Sequence, residues 1–506
     1  MASPPPLKAA TPSPEYFNLI GEDIHQDILS RLPATTFASA ACVSRYWSHL
    51  CNRILRPKLL SSISLNPNLK DAVDEVLNKV LGEPIRPHFA IASVGKKFSL
   101  RITKALIRSK LGFGIPIIVS EARGIIGNDS TTNEHKEVLW LDNDDIENRI
   151  EAYNLPEYRN RGIVLTVGYF PGLRVCAIPL KEGDDSQMSI DTFINNIKEY
   201  SVSPVGVIMF AKPNTDMEPV LEKIDYAMPE DTVIIGDESG HFLCNNGVDC
   251  TAFAGQNAAV ALVFAKDIGK AKGVGDIRFS LVLSNGVSPI GPMYKGASVR
   301  MAKDEKSKSS TWLTARREGS IENLDGESIL ADIENIIEAD DMNIDDFDLY
   351  IGVSKRRKCS IGLEKPKLIS STSFHAIAGG DEEYLYVNGF GIKTGDPFQF
   401  FYPDPQVALK SRNDVCDKLK ALKHSNGENK VVCGGLMFSC CGRGESFLGC
   451  PNADSSAFLE NFPGVPLSGT FCCGEIGRGY GLVGKGSTKC FRHVYSTLYL
   501  LILHTP

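Results

Sequence analysis

The run GRGESFLGCPNADSSAFLENFPGVPLSGTFCCGEIGRG, from Gly442 to Gly479, constrains the fold more than any other stretch. Glycine turns, a polar cluster, a short helical piece and an apolar strand follow one another within one run. A backbone that bends sharply or approaches a neighbour closely needs glycine, which has no Cβ to clash. Gly442 and Gly444 flank Arg443, and Gly474 and Gly477 flank Glu475. These turns are expected to bring Arg443 and Glu475 together as an internal ion pair. The other reading is that Arg443 offers its planar fork to a carboxylate ligand. Asp454, just after Asn452, is expected to cap the short helix by accepting from orphan N–H groups.

At 506 residues the chain is long enough for roughly three domains. With 43% apolar and 23% charged residues it is ordinary globular material. A net charge of −7 argues against general nucleic-acid binding, which needs a basic surface. Lys355–Arg356–Arg357–Lys358 is a lone basic run and reads as a solvated loop. No apolar run is long enough to span a membrane. Residues 1–15 are Pro- and Ser-rich without an apolar signal core, so they are expected to be disordered. The expectation is an intracellular protein of the cytoplasm, the nucleus or both.

Its fourteen cysteines are then expected to be reduced. Cys440–Cys441, Cys450 and Cys472–Cys473 do not have the C-x2-4-C spacing of a zinc site. They read as small residues beside tight turns, and neither metal nor cofactor is expected.

Residues 16–60 read as three short helices. Ile20, Ile24, Ile28, Leu29 and Leu32 recur at near-helical spacing, and Pro33 ends the first helix. A second helix runs through Ala34–Val43, and a third carries Trp47, Leu50 and Ile54. A unit of this size holds little core alone, so its apolar side is expected to meet a partner. The segments Ile28-Leu29-Ser30-Arg31-Leu32-Pro33 and Val43-Ser44-Arg45-Tyr46-Trp47-Ser48-His49-Leu50 resemble the F-box. Gly21 stands where that family has its first proline. The resemblance implies docking on a Skp adaptor through Ile20, Ile24, Ile28, Leu29, Leu32, Pro33, Val43, Trp47 and Leu50.

Residues 61–87 read as a linker with one short helix. From Phe89 onward strands and helices alternate, which predicts layered α/β structure. Fold class is therefore α+β or α/β, with a small all-helical N-terminal domain. No repeat of leucine-rich length can be aligned.

Three C-terminal pieces resemble the signature of the FIST domain, named for F-box and intracellular signal transduction. They are Phe438-Ser439-Cys440-Cys441-Gly442-Arg443-Gly444, Pro451-Asn452-Ala453-Asp454 through Phe458, and Pro466-Leu467-Ser468-Gly469 through Gly474-Glu475-Ile476-Gly477. Gly124-Ile125-Ile126-Gly127 is a further local match. Gly236-Asp237-Glu238-Ser239-Gly240 departs from the family's turn. The resemblance divides the rest into a FIST N-terminal domain at 88–300, a connecting loop at 301–322, a C-terminal domain at 323–480 and a tail at 481–506. It implies a binding module, with Gly442, Arg443, Gly444, Asn452, Asp454, Gly474, Glu475 and Gly477 as its ligand-binding or structural motif.

Other motifs are bland. Gly479-Tyr480-Gly481-Leu482-Val483-Gly484 matches G-x-G-x-x-G but no helix pattern follows, so it reads as a surface loop. Asp237, Glu238, Ser239 and His241 read as a polar turn after a strand. No nucleophile elbow or H-E-x-x-H occurs. Taken with both resemblances, the expected function is the non-catalytic substrate receptor of a Skp–cullin–F-box ubiquitin ligase. Its partners would be the Skp adaptor, a cullin through it, and a substrate protein, with no nucleic acid and no membrane. The alternative is a signalling sensor whose FIST region binds a small metabolite such as an amino acid.

Overall fold

The computed structural model describes residues 21–140, 159–182, 186–213, 215–246, 257–270, 273–303, 309–339, 349–424, 430–479 and 489–506. The chain divides into two compact units. One is Met1–Arg56 with Asn78–Arg86; the other is Pro57–Leu77 with Pro87–Pro506.

The smaller unit is built on the helices Glu22–Ser30, Ala34–Ala41 and Arg45–Ile54. Pro33 has no N–H to donate, so it closes the first helix and serves as the N-cap residue of the second. The Ser44 hydroxyl caps the third, accepting from the Trp47 N–H at 3.2 Å. Leu29, Phe37, Leu50 and Cys51 are buried between the helices. Each large side chain of this kind stabilises by about 1.5–3 kcal/mol.

The larger unit holds three sheets and a closed six-stranded barrel among the described residues. The first sheet is ordered Lys58–Ser64, Ile163–Tyr169, Phe89–Gly95, Ile117–Ala122, Phe242–Asn245. The second is Lys489–His493, Glu475–Gly479, Val233–Asp237, Gly206–Ala211, Asn257–Lys266, Leu173–Lys181. The third is Asp276–Ser284, Thr497–Thr505, Val431–Cys440, Leu467–Cys472, Gly124–Asn128, His135–Leu139. The barrel closes in the order Val287–Lys303, Ser309–Arg317, Leu385–Asn388, Lys367–Gly380, Tyr350–Cys359, Pro397–Pro403.

Strand periodicity explains how these sheets share cores. Successive side chains on a strand point to opposite faces. In Gly206–Ala211, Ile208 and Phe210 enter one core while Val207, Met209 and Ala211 enter another. In Thr497–Thr505, Leu498, Leu500 and Ile502 join the first of these cores, and Tyr499 and Leu501 join a third. Strands buried on both faces read as continuous apolar runs.

Several domain expectations are corrected. The tail expected at 481–506 is corrected for its described part: Lys489–His493 is a strand of the second sheet and Thr497–Thr505 lies between two strands of the third. The proposed linker 61–87 instead contributes a sheet strand, Lys58–Ser64, and the helix Leu69–Val80, whose Ala72, Val73 and Val76 are buried. Of the connecting loop expected at 301–322, residues 301–303 and 309–317 lie on the paired barrel strands Val287–Lys303 and Ser309–Arg317. The two FIST halves interleave: Leu467–Cys472 pairs with Gly124–Asn128, and Glu475–Gly479 with Val233–Asp237. The basic run is not a solvated loop. It lies on the barrel strand Tyr350–Cys359, where Lys355 is buried against Glu218 at 2.5 Å and Arg357 pairs with Asp396.

Candidate functional site

The C-terminal signature splits into a buried anchor and one wall of a cleft. The anchor is Arg443, which is wholly buried. Its Nε donates to Asp454 Oδ2 at 2.9 Å and its Nη2 to Asp454 Oδ1 at 2.6 Å, a bidentate pair. Its Nη1 donates to the Tyr495 carbonyl at 3.0 Å, and Nη2 also reaches Ser284 Oγ at 3.2 Å. The expected Arg443–Glu475 pair is therefore corrected: the partner is Asp454, eleven residues away rather than across the strand pair. The same contacts leave the fork closed to a carboxylate ligand.

Asp454 is consequently not the helix cap. Asn452 is the N-cap residue of Ala453–Asn461, in the left-handed region at φ 53°, and makes no side-chain cap. The cap comes from a distant strand: Glu137 Oε1 accepts from the Ser455 N–H at 2.7 Å. Asn452 Oδ1 accepts in turn from the Glu137 N–H at 3.0 Å. Burial, then the neighbouring Asp454, pushes the Glu137 carboxyl up to about 7. The glycines serve this packing. A Cβ at Gly442 would stand 2.7 Å from the Tyr495 ring, and Gly444 holds φ +85°. Gly474 accepts from the Glu238 N–H at 3.0 Å, and the Gly477 carbonyl bonds His493 Nε2 at 3.0 Å.

Beyond the anchor opens a cleft of about 590 Å³. Its walls include Cys441, Cys473 and Glu475 from the signature, Glu238 from the second sheet, and Arg492 and His375. Arg492 donates to Glu238 at 2.8 Å and to the Phe374 carbonyl at 2.8 Å, and its side chain stays 37% exposed. His375 Nδ1 lies 3.2 Å from the Asn388 carbonyl, which can only accept, so Nδ1 carries the proton. Its Nε2 then accepts from Ser373 Oγ at 2.7 Å. Burial holds His375 well below its usual range, so the imidazole is neutral. The polar turn expected after a strand at Asp237–Ser239 does follow the strand Val233–Asp237, and it also belongs to this region, with Asp237 buried and Glu238 and Ser239 on the cleft.

Asp237 and Glu475 are directly opposed on paired strands. Burial pushes Asp237 up to about 7 and Glu475 well above the carboxylate range. Among the described residues no group of His, Cys, Asp or Glu is placed to hold a metal ion. The lining mixes the carboxyl groups of Asp216, Glu218, Glu222 and Glu238 with the guanidinium groups of Arg123 and Arg492, so the cleft suits a small polar molecule rather than an apolar one.

The raised Asp237 has a measurable consequence. The folded state holds its proton from the unfolded value near 4 up to about 7, where the unfolded chain has released it. Its contribution is therefore present at acid pH and lost as pH rises through that window. Asp237→Asn is expected to flatten the fall in melting temperature between about pH 5 and about pH 8, leaving the part due to Glu475 and Glu137. An unchanged slope would contradict this assignment.

The smaller unit offers a different surface. Ile24, Ile28 and Val43 are 54%, 45% and 69% exposed, and Tyr46 is 44% exposed. Pro33 is exposed, and Leu32 and Trp47 are half-buried. Leu29 and Leu50 are fully buried, so they support the helices and cannot face a partner. Ile20 and the Gly479–Gly484 motif from Tyr480 onward lie outside the described residues. Arg492, His375 and Glu137 were not singled out by sequence. They come from segments remote from the signature, and only the strand pairing assembles them.

The F-box domain family matches residues 18–58, and the FIST C domain family matches residues 351–478. The chain is 43% identical over 507 residues to an F-box/LRR-repeat protein of Arabidopsis thaliana, covering 96% of this chain and 93% of that one. Two uncharacterized proteins of Mycobacterium tuberculosis are each 46% identical over 44 residues, which is 9% of this chain and 12% of theirs. The FIST C match begins inside the barrel, at the strand Tyr350–Cys359, and ends within the strand that carries Glu475.

Proposed function

The chain belongs to the F-box proteins that carry a FIST C domain, and from that membership we propose that it is the substrate receptor of a Skp–cullin–F-box ubiquitin ligase. The observation that carries this reading is the set of exposed apolar side chains on the small helical unit, Ile24, Ile28, Val43 and Tyr46, within the F-box match. Large apolar groups left on a surface mark interaction sites. The F-box docks on the Skp adaptor, and through it on a cullin. The FIST region holds the protein to be ubiquitinated and sent to the proteasome, in the cytoplasm or the nucleus. Such a subunit does no covalent chemistry on the substrate; it raises the effective concentration of substrate lysines near the charged conjugating enzyme. Co-purification of the full chain with the Skp adaptor tests the reading directly. No complex at micromolar concentrations would sink it.

A second reading, a small-ligand sensor, is favoured by one observation: the cleft with its accessible Arg492. The two readings are compatible, with a ligand gating substrate capture. A thermal-shift screen of amino acids and carboxylate metabolites is expected to find a stabiliser, as binding linkage requires. The shift should vanish in Arg492→Ala. A shift that survives this change would place the ligand elsewhere.

A further inference from the structure

The two vicinal cysteine pairs occupy equivalent places on neighbouring parallel strands. Val431–Cys440 and Leu467–Cys472 pair in parallel with Cys440 opposite Cys472. One residue further on, Cys441 comes opposite Cys473, and the Cys441 N–H donates to the Cys472 carbonyl at 2.7 Å. Neighbouring strands lie about 4.8 Å apart, inside the ~4.4–6.8 Å that a disulfide's Cα atoms span. Cys440 and Cys472 are buried, whereas Cys441 is half-buried and Cys473 is exposed. The second pair lines the cleft, with its Sγ atoms 2.7 Å apart and both residues free thiols.

We propose that Cys441 and Cys473 are a redox-active dithiol, oxidised by low-molecular-weight disulfides such as glutathione disulfide to an intrachain disulfide in the cleft wall. Cys473 is the attacking sulfur. It is the exposed member of the pair, and its hydrogen bond with Cys441, together with the nearby Arg123 guanidinium, holds its thiol below the usual range against burial. Cys441, hydrogen-bonded beside Cys440 and Cys473 and half-buried, is pushed well above that range and acts as the resolving sulfur.

The exchange balances. The Cys473 thiolate attacks one sulfur of glutathione disulfide, whose S–S bond breaks. One glutathione thiolate leaves and takes up the proton that Cys473 released. Cys441 then attacks the Cys473 sulfur, expels the second glutathione and passes its proton to it. The protein dithiol loses two electrons and two protons, and one glutathione disulfide becomes two glutathione thiols. The bond ties the turn after one strand to the turn after its neighbour, both on the cleft. The inference does not depend on what the cleft binds.

The full-length reduced chain is equilibrated in graded glutathione and glutathione disulfide, alkylated in denaturant and mapped by mass spectrometry. The expected result is simultaneous loss of alkylation at Cys441 and Cys473, one linked peptide carrying both, and a mass lower by two hydrogens. Excess dithiol should restore both sites. Cys441→Ser should stop at a glutathione adduct on Cys473, since no resolving thiol remains. Alkylation of both residues at every ratio would overturn the proposal, as would a link from either one to a different cysteine. The wild-type measurement decides the matter even if the variant does not fold.

Discussion

Full-length protein carrying Ile28→Asp is expected to lose co-purification with the Skp adaptor while melting as the wild type does. Ile28 and Ile24 lie one turn apart on the helix Glu22–Ser30, so they share a face. Both are about half exposed, while Leu29 points into the core. A carboxylate at position 28 therefore meets water in the free chain and costs little. In the complex it would be desolvated against an apolar surface without a partner charge, which costs several kcal/mol. Anchor residues at the centre of an interface commonly contribute about 2–4 kcal/mol. The combined loss exceeds a hundredfold in affinity, enough to abolish capture on a resin. Trp47→Ala should weaken capture too, but Trp47 is half-buried beside His25, so part of its effect is a looser helix packing. Leu29→Ala is the control for the opposite case, lowering stability first. Undiminished adaptor binding by Ile28→Asp would remove the F-box face from the interaction.

Much of the small unit was legible because its signals are local. Pro33 and Ser44 punctuate helices through their own backbone and side chain, and near-helical spacing marks Leu29 as well as Ile28. Spacing does not say which face is the core. That depends on the other two helices, and so Leu29 and Leu50 were grouped with the docking residues. In the larger unit the alternation of strands was readable, but not their partners. Period two reports that Leu498, Leu500 and Ile502 share a face; it says nothing of the neighbouring strand. Hence residues 481–506 read as a tail ending in a terminal strand or helix with no neighbour assigned, and the barrel strands around residues 301–322, rich in Ser and Lys, read as a loop. The signature was recognisable from its glycines and charged residues, yet its pairing was misassigned. Arg443 and Glu475 each sit between glycines, but Glu475 leads a strand whose partner is Asp237, and Arg443 turns toward the helix Ala453–Asn461. The cleft was the least legible part, since Arg492 and His375 carry no local motif.

Arg443→Ala is expected to be the most destabilising single change in the signature. The substitution leaves the Asp454 carboxylate buried without its bidentate partner, and removing one member of a buried pair costs about 3–5 kcal/mol. It also strips a donor from the Tyr495 carbonyl, which keeps the loop next to the cleft in place. Asp454→Ala should cost a similar amount by stranding the guanidinium. The double change Arg443→Met with Asp454→Leu should recover part of the loss, because apolar groups of similar volume need no counter-charge. Urea unfolding of the wild type, Arg443→Ala, Asp454→Ala and the Arg443→Ala/Asp454→Ala double variant gives the coupling energy of the pair. A parallel cycle with Glu475→Ala should show no coupling to Arg443, since Glu475 is held by Ser496 and Cys472 instead. In Arg443→Ala the Asp454 and Glu137 carboxyls face each other without the cation. Protonation relieves that conflict, so the deficit should be smaller at about pH 5 than at about pH 8. Wild-type stability of Arg443→Ala, with a ligand-induced shift lost, would instead make this arginine a binding residue and the anchor a misreading.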